Sequence, residues 1–200
     1  MGCDIHPYIE RKNKETGKWE SLSLYYKKED GAYEECYVYD GRCYQLFGLL
    51  AGVRSWPSDP FVSTRGVPND LSEEVQKHWD SGKREEGEGF FGGTDWHSAT
   101  WYDYCELEAY SEMLNKHDKI DKINNNRIIE LEKEIVRLKS RLNGEDLGDD
   151  EPFYNWDNDD EATDAEVMNG FMSDINNVLN AYNIYWPKPG DIRVVMWFDS

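Results

Sequence analysis

The period of the apolar positions changes several times along this chain, and each change marks an element. Residues 4–10 read as a strand that Pro7 interrupts. Proline donates no ladder hydrogen bond, so this strand belongs at a sheet edge or ends there. A turn at 14–18 leads to 19–26, where Trp19, Leu22, Leu24 and Tyr26 mostly alternate and predict a second strand, hairpinned to the first. Glu29-Asp30-Gly31 turns the chain again, and 33–39 predict a third strand. The period then becomes helical. Tyr44, Leu46, Phe47, Leu49, Leu50 and Val53 predict a short apolar helix buried against the sheet, with Arg54 at its C-terminal end.

Residues 55–70 carry Pro57, Pro60, Gly66 and Pro68 and read as a loop, after which Asp70 or Ser72 caps a helix running through Trp79. The stretch 81–93 holds five glycines and is a candidate lid. Thr100 then predicts the cap of a helical region over 101–142, either two helices in a hairpin or one long kinked helix, with Asn124-Asn125-Asn126 at the break. Its second half has a heptad seam, Ile128, Leu131, Ile135, Leu138 and Leu142, and is too polar elsewhere to be buried all round. Thr163-Asp164-Ala165-Glu166 is a capping box, and Met168, Phe171, Met172, Ile175, Leu179 and Tyr182 form the stripe that follows it. The stripe matches the seam in length and spacing, so the two are expected to pair. A homodimer through 128–142 is the alternative.

Pro187-Lys188-Pro189-Gly190 ends that helix, and 191–199 form the clearest strand. Ile192, Val194, Met196 and Phe198 face one side, and Arg193, Val195 and Trp197 the other. Strands open and close the chain and helices lie between them. The expected class is α+β: a mostly antiparallel sheet from both chain ends, covered by helices, with a helical hairpin or coiled-coil-like appendage. The corresponding domains are a core of 1–112 together with 186–200, and an appendage of 113–185 that contains an acidic loop.

Candidate chemistry centres on a repeated pattern, Asp4-Ile5-His6 and Asp95-Trp96-His97. In a strand, residues two apart share a side, so each stretch presents a carboxylate and an imidazole together. These are ligands for a divalent metal such as Zn, Mn or Mg, or an acid/base pair. The expected metal ligands are therefore Asp4, His6, Asp95 and His97. Asp199, closing the last strand, is a third carboxylate within reach, as ligand or base. Arg54 and Arg65, the latter in Arg65-Gly66-Val67-Pro68, are candidate clamps for a phosphate.

Composition changes this picture in two places. The net charge of −19 is concentrated, because 145–166 hold 11 acidic residues and no basic one; without them it is −8. Such a surface disfavours broad nucleic-acid binding, since phosphates are repelled, and a solvated acidic loop is preferred over a mimic of DNA. The four cysteines form no Cys-x-x-Cys pair and, with no export signal pattern, are expected to be free thiols in the cytoplasm. No apolar run approaches membrane length.

The opening Met1-Gly2-Cys3-Asp4-Ile5-His6, together with 44–54, Arg65-Gly66-Val67-Pro68, Asp95-Trp96-His97-Ser98 and 194–199, resembles a group of small proteins found in phages and prophages. The likeness spans about half of the chain and implies an origin; no activity or catalytic residue carries over from it. Two functions of different kinds are expected from the residues. One is a metal-dependent phosphoester hydrolase, in which the metal turns a bound water into a nucleophile. The other is a phage accessory protein without chemistry that sequesters a small phosphorylated ligand or nucleotide, or sits on a host protein. A virion component is a third class that no residue favours.

Overall fold

The computed structural model describes residues 2–39, 41–54, 62–82, 96–143 and 162–199, with 139–143 described by their backbone alone. Asp95, nearly all of the glycine-rich stretch and the acidic segment 144–160 lie outside the described residues.

The class is α+β. A four-stranded antiparallel sheet has the order β2-β1-β6-β5, formed by β1 (Ile5–Lys12), β2 (Trp19–Ser21), β5 (His97–Asp103) and β6 (Ile192–Phe198). A separate hairpin joins β3 (Leu24–Lys27) to β4 (Tyr33–Cys36). The helices are α1 (Tyr44–Ala51), α2 (Glu73–Ser81), α3 (Tyr104–Asn143) and α4 (Asp164–Ala181).

Every residue of β6 is buried. On one face Ile192, Val194, Met196 and Phe198 join Ile5, Ile9 and Tyr102 under Leu46, Phe47 and Leu50 of α1, Leu107 of α3, and Met168, Phe171 and Ile175 of α4. On the other, Val195 and Trp197 pack with Val75 of α2, Tyr8, Trp79, Trp96 and Trp101. The alternation read along 191–199 is this division. Pro7 lies opposite Met196 of β6 at a point where β2 has ended, since β2 pairs only with Glu10 to Lys12. The missing N–H therefore falls on the open side of the strand.

Three expected elements are corrected. The strand over 19–26 is two, because the chain leaves the main sheet at Leu22, which is buried, and re-pairs with β4. The helix expected from Thr100 starts at Tyr104. Thr100 and Tyr102 are instead buried in the β5–β6 ladder, and Asp103 is the cap: its Oδ1 accepts from the Cys105 amide at 2.9 Å, while Glu106 accepts from the Asp103 amide. The hairpin at 124–126 does not form, since α3 runs unbroken for 40 residues. Helix propagation through three asparagines costs only a few tenths of a kcal/mol each.

The position 112/113 falls inside α3, and α4 shares the core with α1 and β6. α4 begins with the capping box read from the sequence, Thr163 and Glu166 exchanging bonds.

The charge inside β6 needs an answer. Arg193 is buried, and its Nε donates to Oε2 of buried Glu10 at 2.7 Å. Its other nitrogens donate to the Asp70 carboxylate at 2.7 Å and the Asp70 carbonyl at 3.0 Å, and the Trp19 ring lies 4.0 Å from the guanidinium. Glu10 also accepts from the Ser72 amide, which fixes the start of α2 over the sheet. Removing one partner of a buried pair strands the other charge. Glu10→Gln should therefore lower unfolding free energy in urea titration by roughly 3 kcal/mol; a loss below about 1 kcal/mol would mean that Asp70 alone neutralises Arg193.

Candidate acid–base cleft

The histidines of the two Asp-x-His stretches, His6 and His97, meet at Asp199 from opposite faces of the sheet. His6 pairs with Trp197 of β6, whereas His97 pairs with Phe198. Successive residues of a strand point to opposite faces, so His6 lies on the α2 face and His97 on the helical face. A bulge between His97 and Thr100, with Ser98 at φ 49°, sets this parity and turns Trp96 toward the α2 face.

Asp199 binds both stretches by different atoms. Its Oδ1 accepts from the Asp4 amide at 2.8 Å, and Oδ2 lies 3.2 Å from His6 Nε2. Its carbonyl oxygen lies 3.1 Å from His97 Nε2. A carbonyl only accepts, so in the neutral ring Nε2 carries the hydrogen and Nδ1 accepts from the Ser98 hydroxyl at 3.1 Å. Both nitrogens of His97 therefore have partners, with the ring stacked on Phe198.

Arg42 takes the Asp4 carboxylate in a two-pronged bond, Nε to Oδ1 at 2.6 Å and Nη2 to Oδ2 at 2.7 Å. The Arg42 bond holds the Asp4 carboxyl below its ordinary range. Cys3 is buried beside His97, 3.9 Å from Nε2, and burial pushes its thiol up, which leaves it protonated and unreactive. Arg54, at φ 51°, touches the Cys3 thiol and the Tyr44 ring rather than a pocket. Arg65 donates to both oxygens of Glu106, at 2.7 and 2.9 Å, and to the Trp101 carbonyl. It staples its loop to α3. Neither arginine lines the cleft described next, so neither is placed to clamp a substrate there. Among the described residues, no group of three or more His, Cys, Asp and Glu is arranged to hold a metal ion. Asp95 is outside them.

His6 opens instead onto a cleft of about 270 Å³ between β1, the β3–β4 hairpin and the end of α2. Its lining includes His6, Tyr8, Glu35, Tyr37, His78 and Trp96. His78, on α2, has Nε2 3.5 Å from Glu35 Oε2, and Glu35 also accepts from the Ser23 hydroxyl. The Tyr8 ring lies between, 4.9 Å from His78 and stacked on Trp197 at 4.7 Å. Trp96 lies 4.8 Å from His6. Burial pushes the Tyr8 hydroxyl well above its ordinary range, so it stays a neutral donor. Two imidazoles, each on a carboxylate, thus face one cavity with aromatic walls.

Tyr8 follows His6 by two and shares its side of β1, a signal present in the sequence. His78 and Glu35 carry no local pattern, and only the packing of α2 and the hairpin brings them together.

In comparisons with family models, curated proteins and solved structures, nothing matched this chain.

The Asp4–Arg42 pair gives a pH signature. A carboxyl whose folded value is lowered contributes stability above its unfolded value, and that contribution is lost as pH falls through the folded value. Arg42→Met should therefore be less stable than the parent at neutral pH, and the difference should vanish in acid, below the lowered Asp4 value. Thermal unfolding at several pH values reads this directly; a difference that persists in acid would assign Arg42 another role.

Proposed function

We propose that this chain is an acid–base hydrolase acting on a small polar substrate, working from the cleft that His6 and His78 share. The observation that carries the reading is that two imidazole–carboxylate pairs, His6 with Asp199 and His78 with Glu35, open onto one cavity. A carboxylate fixes the orientation and tautomer of its imidazole and stabilises the imidazolium. One histidine then takes a proton from water while the other gives one to the leaving group. Neutral Tyr8 supplies a hydrogen bond to the substrate. Trp96 and Tyr37 offer aromatic faces on which a flat group can stack.

This reading keeps the hydrolase expectation and moves the work from a metal to the imidazoles. Among the described residues of the expected set, Asp4 is engaged by Arg42 and His97 by Asp199 and Ser98, which leaves His6 at the cavity with Asp199 behind it as its carboxylate partner. A second reading, sequestration of a nucleotide by its base, is supported by the same aromatic walls and differs in having no turnover.

The test is a panel of chromogenic phosphomonoesters, phosphodiesters and carboxylic esters, assayed with a chelator and with added divalent metal. Turnover should survive the chelator, and His6→Asn and His78→Asn should each lower it by about 10²–10⁴-fold, while Arg65→Met leaves it unchanged. Turnover untouched by both histidine changes would contradict the proposal. Turnover abolished by the chelator would favour the divalent-metal mechanism, with His6 and Asp199 as ligands.

A further inference from the structure

The first turns of α3 are covered and its second half is not. Tyr104 and Ser111 reach α4 through Asn176 and Asn169, and Leu107 and Tyr110 enter the core. The Met168-to-Leu179 stripe of α4 is spent on that core, so the expected pairing of this stripe with the heptad seam does not occur. Beyond it the seam is open: Ile128 is 52 % exposed, Leu131 50 %, Ile135 50 % and Leu138 48 %. A free helix face of this kind loses the stabilisation that burying each side chain would bring, about 1.5–3 kcal/mol for a Leu or Ile. It requires a partner.

We propose that the seam pairs with the same seam of a second copy of this chain, in parallel, as a two-stranded coiled coil. With Ile128 at heptad position a, Leu131 is d, Ile135 is a and Leu138 is d. Isoleucine at a with leucine at d is the combination that favours two parallel strands. The flanking charges choose the same arrangement. Arg127 and Glu134 fall at g, and Glu132 and, by sequence, Lys139 fall at e. In a parallel pair, g of one helix faces e of the next heptad in the other. Arg127 then faces Glu132 of the partner subunit, an attractive pair formed twice across the two-fold axis. In an antiparallel pair aligned on the same seam, g faces g and e faces e. Glu134 would then face Glu134 of the partner subunit, and Glu132 would face Glu132 of the partner subunit, both repulsive.

The seam has a defined start. One heptad earlier the a and d positions are Asp121 and Asn124, which end the apolar stripe. The paired region from Ile128 to the helix end at Asn143 is about 24 Å long at 1.5 Å per residue. Two heptads make a weak coil, so the dimer forms in a concentration-dependent way. Parallel pairing places both sheet cores at the same end of the coil, with α4 of each copy outside the seam. Nothing in this pairing depends on the chemistry of the cleft.

Sedimentation equilibrium of the full chain over a concentration series tests the proposal. The mass should rise from the 23.4 kDa of one chain toward twice that value. Leu131→Asp with Leu138→Asp should hold it at one chain throughout, with thermal unfolding of the core unchanged, because these side chains touch no core residue. Glu132→Arg should weaken the dimer about tenfold by setting arginines opposite Arg127, and Arg127→Glu added to it should restore the affinity. Residues five apart do not meet on one helix, so that restoration can only act between copies. A one-chain mass at every concentration, or a dimer that survives the two aspartates, would overturn the proposal. A dimer that Arg127→Glu fails to restore would overturn the parallel order.

Discussion

The burial of both faces of β6 is the constraint on which the rest of this structure depends. A strand whose seven residues are all buried must be covered twice. That requirement calls α1, the start of α3 and α4 to one face, and α2 with a cluster of tryptophans to the other. It also forces the one charge in the strand, Arg193, into a closed network with Glu10 and Asp70, because an unpaired guanidinium there would cost several kcal/mol. That network is what seats α2 over the sheet. The position of His78 at the cleft therefore follows from an ion pair near the opposite end of β6 from Asp199.

The candidate site forms where this double burial ends. Asp199 follows the last buried residue, and its carboxylate is anchored on the Asp4 amide and on His6, the imidazole that lines the cleft. Its backbone and side chain engage Asp4, His6 and His97 at once, which ties the N-terminal strand, the bulge in β5 and the end of the chain into one unit. The aromatic floor has its own cost. The Trp197 indole N–H is buried with no hydrogen-bond partner among the described residues, a penalty of about 1–3 kcal/mol. The packing of Trp197 against Tyr8, Trp79 and Trp96 offsets it and fixes the cavity wall.

Much of the fold was legible because it depends on periodicity. The two-sided alternation of β6, the short apolar α1 and the capping box of α4 are local signals, and each appears where its pattern put it. The start of α3 was misread for a physical reason: Thr100 and Asp103 are both acceptable caps, and only pairing with β6 decides that Trp101 and Tyr102 extend a strand. The site was legible in part. The link between the chain's two ends was legible, since Asp199 does reach both Asp4 and His6. What the spacing could not show was competition, in which Arg42 claims Asp4, and parity, in which a single bulge at Ser98 turns His97 to the other face. His78 and Glu35 lie far from His6 in sequence, so their convergence depends on tertiary packing alone.

The claim that this cleft is the working site is tested most directly by a crystallographic fragment screen of the intact protein, which needs no knowledge of the substrate. The account predicts that small polar aromatic fragments collect between His6 and His78, with density against Trp96 and hydrogen bonds to an imidazole or to the Tyr8 hydroxyl. Fragments that bind elsewhere on the molecule while this cavity stays empty would contradict it.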